Sequence, residues 1–101
     1  MKLNAFFRKG QEESGPIYYI FWCPGCDEPH AFRTLCKDGR PNWTFNGNID
    51  KPSFTPSLLY PSKPRRCHLY LTDGILIFLS DCEHSLAGQR VPMIPYPYLD
   101  D

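Results

Sequence analysis

The sequence predicts a small, mainly β single domain, an antiparallel β-sandwich or compact barrel with β-hairpins and little helix. Three observations predict it. Eleven prolines and seven glycines punctuate the 101 residues, so no amphipathic stretch of helical length escapes them. Short runs of β-branched and aromatic residues alternate with turn signals. Two of those turns, Asn46-Gly47 and Asp73-Gly74, are of the kind that closes two-residue hairpins, because a type I′ turn needs positive φ at both central positions.

The elements follow in order. Residues 1–16 form an N-terminal arm or an edge strand, closed by the GQEESGP turn. Ile17 to Trp22 is an unbroken apolar and aromatic run, the pattern of a buried strand. His30 to Leu35 is the returning strand, and KDGRP at 37–41 a loop. Trp43 to Ile49 forms a hairpin about Asn46-Gly47. Ser53 to Tyr60 is extended, but Pro56 cannot donate to a ladder and belongs at an edge or a bulge. Cys67 to Thr72 and Ile75 to Ser80 form the second hairpin. Residues 92–101 are a proline-spaced extended tail. There is no repeat and no second domain, so 1–101 reads as one unit.

A domain of this length buries only roughly 60–68% of its unfolded surface, so its core is thin and a cross-link would help. The formal net charge is zero and the pI near 6.8. Nucleic acid is therefore not an expected partner. The one basic cluster is Lys63, Arg65 and Arg66, an anion contact or a solvated loop. No apolar run is long enough to cross a membrane, and the N-terminus carries no secretory pattern. A cytoplasmic protein is expected, where thiols stay reduced and an odd count of five cysteines favours metal over disulfides.

FWCPGCDEPH, residues 21–30, carries Cys23-x-x-Cys26. A turn of this spacing lets both sulfurs reach one ion, and it needs a second pair. The Asp73-Gly74 hairpin supplies one. If Thr72 faces Ile75, then Cys67 shares a face with Leu69, Leu71, Leu76, Phe78 and Cys82. His84 returns to that face, whereas His68 falls on the other with Tyr70 and Leu79. The expected site is a structural zinc held by Cys23, Cys26 and two of Cys67, Cys82 and His84. A redox pair, a disulfide and unrelated core cysteines are the alternatives. A single β-bulge would swap the faces, so Cys67 and His84 both stay open as fourth ligand. Cys36 is read as a bystander.

No complete catalytic constellation is visible. SDCEH, residues 80–84, concentrates a hydroxyl, two carboxylates, a thiol and an imidazole. It supports a small zinc hydrolase, with His84 or His68 at an open position and Asp81 or Glu83 as base, or simply a polar turn. The deaminase His-x-Glu, HExxH, phosphate loops and Gly-x-Ser-x-Gly are all missing. Ser53, Thr55 and Ser57 alternate along one strand face, the pattern of a polar ligand surface or of a wet sheet face. Trp43, Phe45 and Phe54 read as core.

FWCPGCDEPH, WTFNGNIDKPSFTPSLL and CHLYLTDGILIFLSDCEHSLAGQRVPM occur in the order seen in a family of small phage and prophage proteins of unknown function, often labelled "ammonia monooxygenase". The chain resembles that family over most of residues 21–93. The resemblance implies a phage-related origin, in a host cell's cytoplasm, and a zinc-ribbon-like site. The label itself implies membrane spans that this chain lacks. Asn46, Asp50, Ser53, Ser57, His68, Asp81, His84 and Gln89 coincide with motif positions, which implies a binding surface. The family pattern often has glycine where this chain has Asp27. The expected function is thus a zinc-binding, phage-related accessory module for a host protein or small ligand rather than an enzyme. A zinc hydrolase built on Ser80 to His84 and a nucleic-acid-binding zinc-ribbon-like protein are the alternatives.

Overall fold

A computed structural model describes residues 1–13, 15–37, 39–61 and 65–98. Lys63 and the last residues of the tail lie outside the described residues. The strands are β1 (Arg8–Gln11), β2 (Ile17–Cys23), β3 (Glu28–Thr34), β4 (Thr44–Phe45), β5 (Phe54–Tyr60), β6 (Cys67–Thr72), β7 (Ile75–Phe78) and β8 (Arg90–Pro92). They form two antiparallel sheets, β1-β2-β3 and β4-β5-β6-β7-β8, and the sheets do not close into a barrel. No helix occurs among the described residues, so none crosses a membrane.

The sheets meet through aromatic rings. Phe32 of β3 stacks on Phe54 of β5 at 4.3 Å between centroids, and Phe54 stacks in turn on Phe45 at 4.7 Å. Phe7, Phe21, Leu58, Leu69, Leu71, Leu76 and Phe78 complete the buried set. Each large side chain buried here contributes about 1.5–3 kcal/mol. The tail closes the outside of the first sheet. Tyr96 and Tyr98 meet the Trp22 ring edge-on, the Arg8 guanidinium lies over Tyr96, and Tyr96 N–H donates to the Ala5 carbonyl.

The Asp73-Gly74 turn has the positive φ expected, 50° and 77°, and Thr72 pairs with Ile75. The Asn46-Gly47 hairpin is not formed. β4 pairs directly with β5, and residues 46–53 make a wider loop. Side-chain amides compete successfully with the tight turn there. Asn46 Oδ1 accepts from the Asn48 N–H, and Asn48 Oδ1 accepts from the N–H groups of Asp50 and Lys51.

One irregularity positions the site. Phe54 pairs with Leu71 and Leu58 with Leu69, so residues 55–57 of β5 face Tyr70 alone. Pro56 sits inside this bulge, where its missing N–H removes no ladder bond.

Candidate functional site

β6 divides two constellations. Its even-numbered His68 and Tyr70 face outward, and its odd-numbered Cys67, Leu69 and Leu71 face the core.

On the inner side, Cys23, Cys26, Cys67 and His84 bring their ligand atoms within 4.8 Å of one another, and this group could hold a metal ion. Cys23 ends β2, Cys26 follows in the turn to β3, Cys67 begins β6, and His84 lies beyond β7. Cys23 Sγ and Cys67 Sγ are 3.8 Å apart, far beyond a disulfide, and Cys67 Sγ is 3.5 Å from His84 Nε2. The Cys26 N–H donates to Cys23 Sγ at 3.4 Å. Phe78 packs its ring edge against the His84 imidazole at 4.8 Å. A Cβ on Gly25 would stand 2.3 Å from His84 Cε1, so only glycine lets the turn approach the ring. Asp27 adopts φ 56°, a left-handed position that suits glycine and that aspartate tolerates.

The electrostatics are those of crowded thiols. The Cys23 thiol is drawn down to about 4, first by its hydrogen bond with Cys67, with the neighbouring His30 ring adding to the lowering. The Cys26 thiol is pushed up to about 12, chiefly by burial and then by the Cys23 charge. Cys67 is raised, first by its bond to Cys23. One thiolate forms easily and the next ones require a cation. Burial lowers His84, which favours the neutral imidazole a metal needs. The Leu86 N–H donates to His84 Nδ1 at 3.2 Å, which places the ring proton on Nε2; a metal held through Nε2 would require the other tautomer.

His30 is buried beside this cluster. Its Nδ1 lies 3.0 Å from the Pro29 carbonyl, it stacks on Tyr60 at 4.0 Å, and its buried Nε2 makes no well-formed hydrogen bond among the described residues. With Cys26 and Glu28 it forms a second group of possible ligands beside the first.

Cys82 is buried but outside both groups. Its Sγ accepts the His68 N–H at 3.2 Å and its thiol donates to the His68 carbonyl at 3.1 Å. Cys36 is half-buried near Thr34 and also outside them.

On the outer side, Ser57, His68 and Asp81 form one chain. Ser57 Oγ lies 3.0 Å from His68 Nε2, and His68 Nδ1 lies 3.2 Å from Asp81 Oδ2. They come from the β5 bulge, from β6 and from the turn after β7. With Nδ1–H donated to the carboxylate, Nε2 is the acceptor for the Ser57 hydroxyl. His68 is about a quarter exposed and Asp81 nearly half, so the chain opens to solvent. The sequence sets His68 with Asp81 in the zinc-hydrolase alternative and Ser57 on a polar strand face, and no local spacing announces the meeting of all three.

Other expected surface positions hold loops. Asn46 and Asp50 belong to the 46–53 loop, and Ser53 Oγ accepts the Asp73 N–H at 2.8 Å. Glu83 Oε1 accepts the Arg66 N–H at 2.6 Å, away from His68. Arg65 and Arg66 are exposed.

A family model described as "Bacterial ubiquitination-like system serine protease (BubE)" matches residues 2–79. The match includes Ser57 and His68 and stops short of Asp81. No curated protein and no solved structure matches.

Proposed function

This chain belongs to the BubE family, and on that premise we propose that it is a serine protease with Ser57 as nucleophile, His68 as general base and Asp81 as the orienting carboxylate. The observation that carries the reading is the unbroken Ser57–His68–Asp81 chain at 3.0 and 3.2 Å. Such a constellation is recognised by geometry and role, not by sequence order.

Ser57 Oγ attacks the carbonyl carbon of a peptide bond while His68 Nε2 takes its proton. Asp81 holds the Nδ1–H tautomer and stabilises the imidazolium that forms. His68 then returns the proton to the departing amine, leaving an acyl group on Ser57. Water, deprotonated by the same imidazole, hydrolyses that ester and restores the hydroxyl. The family's description, a serine protease of a bacterial ubiquitination-like system, supports a substrate drawn from such a system.

The inner cluster we read as a structural zinc site. A tetrahedron with Zn–S of about 2.3 Å and Zn–N of about 2.0–2.1 Å has S–S edges of about 3.8 Å and S–N edges of about 3.5 Å. The separations of 3.8 and 3.5 Å between Cys67 and its neighbours support that fit. Four protein ligands leave no open position for water, and the β6 backbone lies between the cluster and Ser57. This favours a structural metal over a zinc hydrolase.

A fluorophosphonate probe tests the proposal. It should label Ser57 in the wild type. Labelling should disappear in Ser57→Ala and fall at least about a hundredfold in His68→Ala. A folded wild type that takes no label sinks the protease and returns the chain to the alternative of a zinc-stabilised, phage-related binding module.

A further inference from the structure

A cavity of about 270 Å³ opens between β3 and β5, with Tyr18, Arg33, Trp43, Leu58, Leu59 and Tyr60 among its walls. It begins one residue from the nucleophile. Trp43 Nε1–H donates to the Ser57 carbonyl at 3.2 Å, and Leu59 pairs across the ladder with His68. β4 pairs with β5 only at Thr55 and Phe54, so among the described residues no strand pairs with this edge of β5 beyond the bulge. An extended peptide held at Ser57 therefore passes the mouth of the cavity.

Among the described residues, Arg33 is the only charged one lining it. Its Nε and Nη1 are shielded from solvent and have no hydrogen-bond acceptor among the described residues. The guanidinium lies over the Tyr18 ring, 5.5 Å from the centroid. Glu12, a carboxylate close enough to feel this charge, is already engaged by Arg40 at 3.0 Å and by the Tyr18 hydroxyl. A guanidinium with donors unmet is an incomplete pair, and a carboxylate meets its planar fork with two oxygens. The aromatic and leucine walls suit the short apolar stem behind such a group.

We propose that the Arg33 cavity is a specificity pocket for a carboxylate carried by the substrate peptide. The inference rests on the reading of Ser57 as a protease nucleophile and adds the substrate chemistry. The carboxylate is that of an aspartate or glutamate side chain or of a free C-terminus.

The experiment needs no turnover. Immobilised Ser57→Ala protein is exposed to a proteome-derived peptide library, and the retained peptides are sequenced by mass spectrometry. Retained peptides should be enriched about tenfold in one class of carboxylate over the same library esterified at its carboxyls. The enrichment should vanish in Ser57→Ala/Arg33→Gln and partly survive in Ser57→Ala/Arg33→Lys, which keeps the charge without the fork. Enrichment at an internal Asp or Glu identifies a side-chain source, and enrichment of free termini identifies a C-terminal one; both support the pocket. Equal retention of native and esterified libraries, or a preference unchanged by Arg33→Gln in folded protein, overturns it. Fluorophosphonate labelling of Ser57 separately decides the protease reading, so either can fail alone.

Discussion

Cys82 grips the backbone of His68 from both sides, its sulfur accepting the N–H at 3.2 Å and its thiol donating to the carbonyl at 3.1 Å. His68 is flanked in sequence by Cys67, which points into the inner cluster, while its own ring reaches Ser57 and Asp81. Asp81 precedes Cys82 directly. Two adjacent pairs, Cys67-His68 and Asp81-Cys82, therefore tie the buried sulfurs to the outward Ser57–His68–Asp81 chain.

Cys82→Ala should loosen His68 without removing a member of the cluster. The loss of two hydrogen bonds to a half-buried backbone costs about 1–3 kcal/mol. We expect kcat to fall about tenfold or more, with KM and metal content unchanged and with partial recovery in Cys82→Ser. Loss of bound metal in Cys82→Ala would instead make this cysteine a ligand.

On the zinc reading of the inner cluster, removing the metal should abolish the proposed activity through the fold. Apparent binding energies of structural zinc are about 10–16 kcal/mol in small domains, comparable to the whole stability of a chain this size. Purified protein should hold about one zinc per chain. A strong chelator should abolish the cooperative thermal transition and Ser57 labelling together. A chelated protein that melts unchanged would show the cluster to be four core thiol and imidazole groups.

Asp81→Asn tests the orienting carboxylate. A buried triad aspartate changed this way lowers kcat by about 10⁴, through the wrong imidazole tautomer. Asp81 is nearly half exposed and more screened, so about 10²–10³ is expected here, with the fold intact. The check is the rate of Ser57 labelling beside the thermal unfolding curve; an unchanged rate removes Asp81 from the triad.

Gly25→Ala should damage the Cys23, Cys26, Cys67 and His84 cluster although Gly25 offers no ligand. The added carbon meets the His84 ring at 2.3 Å, and the ring is held behind by Phe78. Zinc affinity, read by competition with a chromogenic chelator, should fall at least about tenfold. Pro24→Ala, in the same turn, should leave it within about twofold. Equal affinities for both variants and wild type would remove the close approach from the explanation.

Phe54→Ala removes the ring on which Phe32 and Phe45 stack, and it should cost about 3–5 kcal/mol in denaturant unfolding. A loss under about 1 kcal/mol would mean that the two sheets are joined elsewhere.

The sequence by itself determined what local chemistry governs. Asp73-Gly74 dictates its turn because positive φ is needed at adjacent positions, and the register of β6 and β7 follows from it. Alternation then puts Cys67 inward and His68 outward. The Cys23-x-x-Cys26 turn is likewise local. Tertiary structure decided the rest. Asn46-Gly47 carries the same turn signal as Asp73-Gly74, yet the neighbouring asparagines close a wider loop through their own side chains. Ser57 meets His68 because β5 lies beside β6, and Asp81 joins them because the chain turns back after Phe78. His84 reaches the sulfurs across the gap that Gly25 leaves. These contacts join residues that share no turn and no spacing. They depend on which strands lie side by side, and no stretch of sequence encodes that alone.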